Sequence, residues 1–347
     1  MNKVEQAFRR LFITTLSVIV VILVVIGGFV YYIDPYQQFK KSDIYINDAR
    51  LEIPGISRFH DYNTVLMGSS MAMNHEPKQV DTLFSKETEK WVTRNFTLVG
   101  GMSDDYFLIL NRLFKDNKVQ HIIFDFDFFS FAKQQNAIAD YLYSDNIFDK
   151  FKYIYNYTTL KNCIKKLYSP VPEDSLYHFY SKSGHQELFN NYNKSKDESF
   201  EHSGYCFEFD LMKERFEENL RIYIQERPDI EWFIYFPPYS IFEFIKYRDG
   251  GHWEAILQFK KFVIETLLQQ PNVKLYDFQP EESWIMNLDE YMDVRHHSHK
   301  FNHAIISSIY NNEYLVTEEN YLGKIDSLNM FVLGIDVDTL MAAYKGQ

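Results

Sequence analysis

Cysteine is scarce: the 347 residues contain two, Cys163 and Cys206. That is too few for the framework of bridges that holds small secreted domains together, and at most one bridge is open to the pair. Ten prolines and thirteen glycines are also few for this length, which excludes collagenous and linker-like chains. Basic residues are in deficit, 36 against 48 acidic ones. The formal charge of −12 denies the chain the basic surface that broad binding to nucleic-acid phosphates requires. Long apolar runs are absent except for one, so a multi-span membrane protein is excluded too. What remains is ordinary globular composition, 46% hydrophobic and 24% charged, with an aromatic share of 18%. That share exceeds what a core usually demands, and some of these rings suit the lining of a groove.

The one apolar run is Leu11 to Ile33, 23 residues without a charge. At 1.5 Å per residue it covers roughly 30 Å of hydrocarbon. A cleaved signal peptide would carry an apolar region of about 7–15 residues followed by a small-x-small site. This run is longer, and Tyr31-Tyr32 read as an interfacial belt, so an uncleaved anchor is expected. Lys3, Arg9 and Arg10 precede it and Asp34 and Pro35 follow. The positive-inside rule therefore predicts a cytoplasmic N-terminus at 1–10, a transmembrane helix at 11–33 and an extracytoplasmic remainder. Three of the basic and one of the acidic residues lie before Asp34, which leaves 33 and 47 outside, a net charge of −14.

Residues 34–60 read as a stalk, and 61–347 as one domain in which strand-like and helix-like patterns alternate. Asn63 to Met67 is a short apolar run that stops at Gly68-Ser69-Ser70, and Pro77 to Phe84 suits a helix with proline in its first turn. Trp91 to Val99 alternates and stops at Gly100-Gly101, and Ser103-Asp104-Asp105 then caps a helix through Phe114. Gln120 to Phe129 reads as a buried strand carrying Asp125 and Asp127 at its far end. About 131–204 the pattern dissolves into a Tyr-, Asn-, Lys- and Ser-rich insertion. Beyond it come a helix at 209–226, a strand at 231–236 ending at Pro237-Pro238, a helix at 253–269, a strand at 273–278 and a last helix near 300–311. Short apolar strands separated by helices imply a mostly parallel sheet with right-handed crossovers, a three-layer α/β/α domain.

In such a sheet the ligand site lies at the carboxyl ends of the strands. At the first end, Gly68 permits a tight turn, and a following helix N-terminus would stabilise negative charge near the Ser70 hydroxyl. At the second, Gly100-Gly101 allows backbone N–H groups to approach a ligand as half of an oxyanion hole. At the third, Asp125-Phe-Asp127 is open to a metal-binding reading or to one carboxylate capping a turn. Late in the chain stands Asp293-Val-Arg-His296-His297-Ser298-His299, with Asn302 and His303 beyond. An Asp three residues before a His can orient the ring and steady its cation. His299 and His303, one helical turn apart, keep a metal site open as a competing reading.

Taken together, these residues resemble the SGNH (GDSL-like) hydrolase superfamily, in which a strand-end Gly-x-Ser supplies the nucleophile and a late Asp-x-x-His the base and its orienter. Gly68-Ser69-Ser70 resembles the first block, with Ser69 where Asp is usual. That variant is shared with the membrane-anchored D-alanine transfer proteins of teichoic-acid modification. Asn95 to Gly100 resembles the second block, and Asp293 with His296 the last. Pro237-Pro238-Tyr239-Ser240 is similar to anchored members associated with surface-polysaccharide loci. One departure stands out: the third-block Asn, an oxyanion side chain in many members, has no counterpart, since that strand end reads Asp125-Phe-Asp127. A carboxylate there would oppose an oxyanion unless protonated or turned away.

The resemblance implies Ser70, His296 and Asp293 as catalytic, the backbone N–H groups of Ser70 and Gly100 as oxyanion donors, and Ser69, Asp127 and Tyr239 as substrate-binding, with no cofactor and no metal. The expected activity is that of an extracytoplasmic serine O-acyltransferase or esterase acting on a cell-envelope glycan. The expected partners are the bilayer through 11–33 and a multi-span membrane O-acyltransferase. The alternative is an inactive glycan-binding or assembly factor that keeps the fold and uses the aromatic-rich insertion as a sugar platform.

Overall fold

A computed structural model describes residues 3–134, 139–172, 188–190, 192–193 and 204–345 of the chain. Of the insertion expected at about 131–204 as a sugar platform, residues 135–138, 173–187, 191 and 194–203 lie outside the described residues. In chain order the strands are β1 (Ile44–Tyr45), β2 (Thr64–Met67), β3 (Thr93–Asn95), β4 (His121–Asp125), β5 (Val171–Pro172), β6 (Glu231–Phe236) and β7 (Val273–Asp277). The chain divides into two compact units, Met1–His60 with Ala139–Leu176, and Asp61–Ile138 with Tyr177–Gln347.

The first unit contains a helix at Lys3–Ile33, long and apolar enough to cross a membrane. Residues read as a stalk are folded here: they contain the helix Ala49–Phe59 and β1, which pairs antiparallel with β5. The Asp34 carboxylate, at the end of the long helix, accepts from the backbone N–H groups of Gln38, Phe39 and Lys40 and from the Tyr153 hydroxyl. Val30, Tyr36, Tyr153 and Cys163 share one apolar cluster. Cys163 and Cys206 are both free thiols, so the bridge held open above is not formed.

The second unit is built on a five-stranded sheet of order β3-β2-β4-β6-β7, parallel throughout. The residues of β2 and β4 are buried on both faces, which explains why they read as unbroken apolar runs and not as alternation. Successive side chains of β6 serve opposite layers. Trp232 meets Phe124, itself against Tyr106 of the helix Ser103–Asp116. Phe233 meets Phe84 of the helix Pro77–Phe84, itself against Tyr310 of the helix His299–Tyr310. The chain order reverses between β2 and β4, and the crevice of such a sheet opens at that switch point.

Several local expectations are amended. Met102, not Ser103, occupies the N-cap of the helix Ser103–Asp116, and the Asp105 carboxylate reaches back to the Met102 N–H at 3.0 Å. The 209–226 helix carries a π turn at Glu217–Arg221. The helix near 300–311 is not the last: Tyr321–Gly334 and Val337–Lys345 follow it.

At the end of β7 the Lys260 ammonium lies 2.7 Å from the Asp277 carboxylate and 2.8 Å from the Gln279 side-chain oxygen, with both charged side chains almost fully dry. Burial pushes the Lys260 pKa down while Asp277 opposes the shift. Removing one partner of such a pair strands the other charge, so Lys260→Met is expected to destabilise the second unit by about 3–5 kcal/mol. Lys260→Met with Asp277→Leu should recover most of that loss. Denaturant unfolding followed by tryptophan emission is the measurement, because Trp91, Trp232, Trp253 and Trp284 all lie in this unit.

Candidate active site at the sheet switch point

Gly68 follows β2 with φ +144°, and a Cβ placed on it would fall 2.4 Å from the Cβ of Asp125 at the end of β4. Only glycine lets the two strand ends approach this closely. The next residue, Ser69, turns inward: its hydroxyl lies 3.2 Å from Asp125 Oδ2 and accepts from the Met71 N–H at 3.2 Å. Ser70 is thereby left facing the crevice, half-buried, at the start of a three-residue 3₁₀ turn. The expected α-helix does not begin until Pro77, so the helix N-terminus anticipated beside the Ser70 hydroxyl is absent from that position.

His296 arrives from the other end of the chain. Its Nε2 lies 2.7 Å from Ser70 Oγ and its Nδ1 2.7 Å from Asp293 Oδ2, while Asp293 Oδ1 accepts from the backbone N–H groups of His296 at 2.7 Å and Arg295 at 2.8 Å. Burial alone would raise the Asp293 pKa. The bond and charge of His296, with the two N–H groups, outweigh it and hold the carboxyl down at about 2. Because the shift is downward, the stability it contributes is complete above the ordinary carboxyl value and is lost only as pH falls toward 2. At neutral pH the carboxylate is charged and fixes the ring with one nitrogen toward the serine. A hydroxyl, an imidazole able to take its proton and an acid that steadies the resulting cation are thus in line.

The loop carrying this pair is clamped from several sides. Ser240 Oγ donates to the Val294 carbonyl at 2.6 Å, and the Arg295 guanidinium pairs with the buried Glu243 and lies over the Phe129 ring at 3.8 Å. Asn302 Nδ2 donates to the Met71 carbonyl at 2.9 Å, tying the turn after Ser70 to the helix after His296. Sequence reading missed Glu243 and Arg295 as supports. Glu243 offers no local signal, being an acidic residue inside an ordinary helix, and only the fold brings it to the loop.

The residues expected to touch substrate are placed otherwise. Ser69, Asp127 and Tyr239 are 2%, 2% and 0% exposed. Asp127 Oδ1 accepts from the Phe129 N–H at 3.0 Å and from the Tyr239 hydroxyl at 2.5 Å, capping the turn after β4. Their polar atoms face neighbours, so they line the floor of the site from within and not a surface open to ligand. Burial, and then the nearby Asp127, push the Asp125 pKa well above the carboxylate range. The protonated form of Asp125 is favoured by this burial, and the carboxyl is directed at Ser69.

The His-rich segment disperses. His297 is buried, with a pKa lowered to about 4 by burial, and His299 bonds Glu76 at 2.8 Å. Among the described residues, no group of three or more His, Cys, Asp or Glu is arranged to hold a metal ion. Gly100 adopts the left-handed conformation with φ +56° and open space where a side chain would be.

Two substitutions of the same chemical kind should differ sharply. Asp125→Asn replaces a carboxyl whose charge burial already disfavours by an amide of the same shape, and is expected to shift stability by no more than about 1 kcal/mol. Asp293→Asn removes a charge that orients His296 and should lower any reactivity of Ser70 by roughly 10⁴-fold without unfolding the chain. Denaturant midpoints and serine-labelling rates on both variants make the comparison.

No protein-family model and no curated protein matches the chain. Solved structures of similar fold include a chain from Streptococcus pneumonia described as a platelet activating factor, with 10% identity, TM-score 0.40, and coverage of 76% of this chain and 90% of that one. A lipase/acylhydrolase from Enterococcus faecalis follows, with 14% identity, TM-score 0.37, and coverage of 74% and 98%. The lipase Lip_vut3 from a goat rumen metagenome has 15% identity, TM-score 0.33, and coverage of 72% and 97%.

Proposed function

We propose that the chain is a membrane-anchored serine esterase or O-acyltransferase whose second unit works outside the cytoplasm on an acylated glycan of the cell envelope. One observation carries the enzymatic part of this reading: the continuous hydrogen-bonded line from Ser70 through His296 to Asp293. Ser70 Oγ attacks an ester carbonyl as its proton passes to His296 Nε2, giving a tetrahedral oxyanion that the backbone N–H groups of Ser70 and Gly100 are proposed to receive. Collapse expels the alcohol, which takes the proton back from His296 and leaves an acyl-Ser70. A second hydroxyl then repeats the sequence in reverse. A sugar hydroxyl gives transfer and water gives hydrolysis.

The absent third-block Asn does not weigh against this chemistry as it does in the sequence alone. Burial raises the pKa of the carboxyl in its place, which disfavours the negative charge that would oppose an oxyanion, and its Oδ2 is turned to Ser69. The anchor, the outside location, the glycan and a multi-span O-acyltransferase partner are supported by the apolar span, its basic N-terminal flank and the family resemblance. The purified full chain in detergent, treated with a fluorophosphonate probe and read by intact mass, is expected to take one adduct. The adduct should be lost in Ser70→Ala and fall by roughly 10³–10⁴-fold in rate in His296→Ala. A folded wild-type chain that takes no adduct would overturn the enzymatic reading in favour of a glycan-binding factor.

A further inference from the structure

Two helices of the first unit, Ile147–Ile154 and Tyr157–Tyr168, are amphipathic in an unusual place. Ile147, Phe148, Phe151 and Tyr155 fall within about 100° of one another on a helical wheel, and all are exposed, Phe148 by 72%. The second helix continues the feature with Tyr157, Ile164, Leu167 and Tyr168, of which the two tyrosines are 80% and 84% exposed. The opposite sides face protein: Tyr153, Thr159 and Cys163 are buried. Isolated apolar side chains on a surface need no explanation, whereas a contiguous patch of this kind marks an interaction site.

What covers the patch follows from what the two helices pack on. The Tyr155 hydroxyl donates to the carbonyl of Leu23 at 3.3 Å, and it stands 3.1 Å from where a Cβ would project from Gly27. Ile154 also approaches Gly27, at 3.6 Å. Leu23 lies ten residues before the end of the apolar span, about 15 Å along the helix axis. If the span crosses a bilayer, a ring at that depth is inside a hydrocarbon core of roughly 30 Å, and the exposed face of the helix bearing it is level with acyl chains. The hydroxyl is bonded inside the protein, as that medium requires of a polar group. Lys152 and Lys161 border the patch, and their long stems allow the ammonium groups to rise to the headgroups.

We infer that residues 147–168 form a second membrane-embedded element, a helical hairpin seated against the anchor in the leaflet from which residue 33 emerges, with lipid acyl chains covering Phe148 and Phe151. The inference rests on the reading of the long helix as a membrane span. It gives the first unit a footing of three helices in the bilayer in place of one.

The test uses the full chain in phosphatidylcholine vesicles, in a Cys206→Ser background whose remaining Cys163 is buried. A nitroxide is attached at Phe148→Cys or Phe151→Cys, with Val20→Cys in the span and Glu254→Cys in the second unit as references. Relaxation by oxygen, which partitions into hydrocarbon, is compared with relaxation by a water-soluble nickel chelate. The expected oxygen-to-nickel ratio at 148 and 151 approaches that at 20 and exceeds that at 254 several-fold. A ratio at 148 and 151 equal to that at 254, with 20 still high, overturns the hairpin and leaves the anchor standing. Low collision with both reagents at 148 and 151 overturns it in favour of a protein neighbour. A low ratio at 20 as well removes the anchor and the hairpin together.

Discussion

The contact between the ends of β2 and β4 is the constraint on which the rest of the site depends. A parallel sheet with order β3-β2-β4-β6-β7 must open a crevice between those two strands, and Gly68 allows the chain to leave β2 while touching Asp125. Any side chain at 68 would push the strands apart. With that approach fixed, Ser69 has one inward partner and Ser70, its neighbour, is directed outward. The alternation of two serines over a glycine thus divides the labour: one holds the floor, the other meets the histidine.

The sequence was most legible where one local rule sufficed. Strands β2, β4 and β6 are short, mostly apolar runs, which is what burial in a parallel sheet demands, and Asp293 and His296 are close enough in the chain for their spacing alone to predict the bond between them. Ser70 was found the same way, from a glycine at the end of an apolar run. What could not be read were the burial states. Asp127 and Tyr239 are 112 residues apart, and nothing in either segment says that they close on each other and withdraw from solvent. The helices Tyr321–Gly334 and Val337–Lys345 were missed although Gly334 ends the first and the Asp336 carboxylate accepts from the Thr339 N–H at the start of the second. The segment read as a stalk folds because its partners, in 139–172, arrive a hundred residues later.

Burial also decides what the acidic groups do. Two carboxyls flank the candidate site, and their pKa values are pushed in opposite directions: that of Asp293 down by the bonds and charge of His296 and by two backbone N–H groups, that of Asp125 up by its dry surroundings and by Asp127. An overall charge of −12 therefore says little about the field at the serine. The local arrangement places negative charge behind the imidazole, where it helps, and disfavours it at Asp125, where it would hinder.

Ser70 and His296 are separated by 226 residues, and the helix behind His296 ends only at Tyr310. During synthesis the serine is made early, while the histidine bonded to it is among the later parts of the fold to appear. A sheet whose neighbours are all non-consecutive or crossover-linked closes slowly, because distant segments must meet before their contacts stabilise anything. Until then the serine is an ordinary hydroxyl. The nucleophile proposed above is thus inert in the nascent chain, and its activation coincides with completion of the fold.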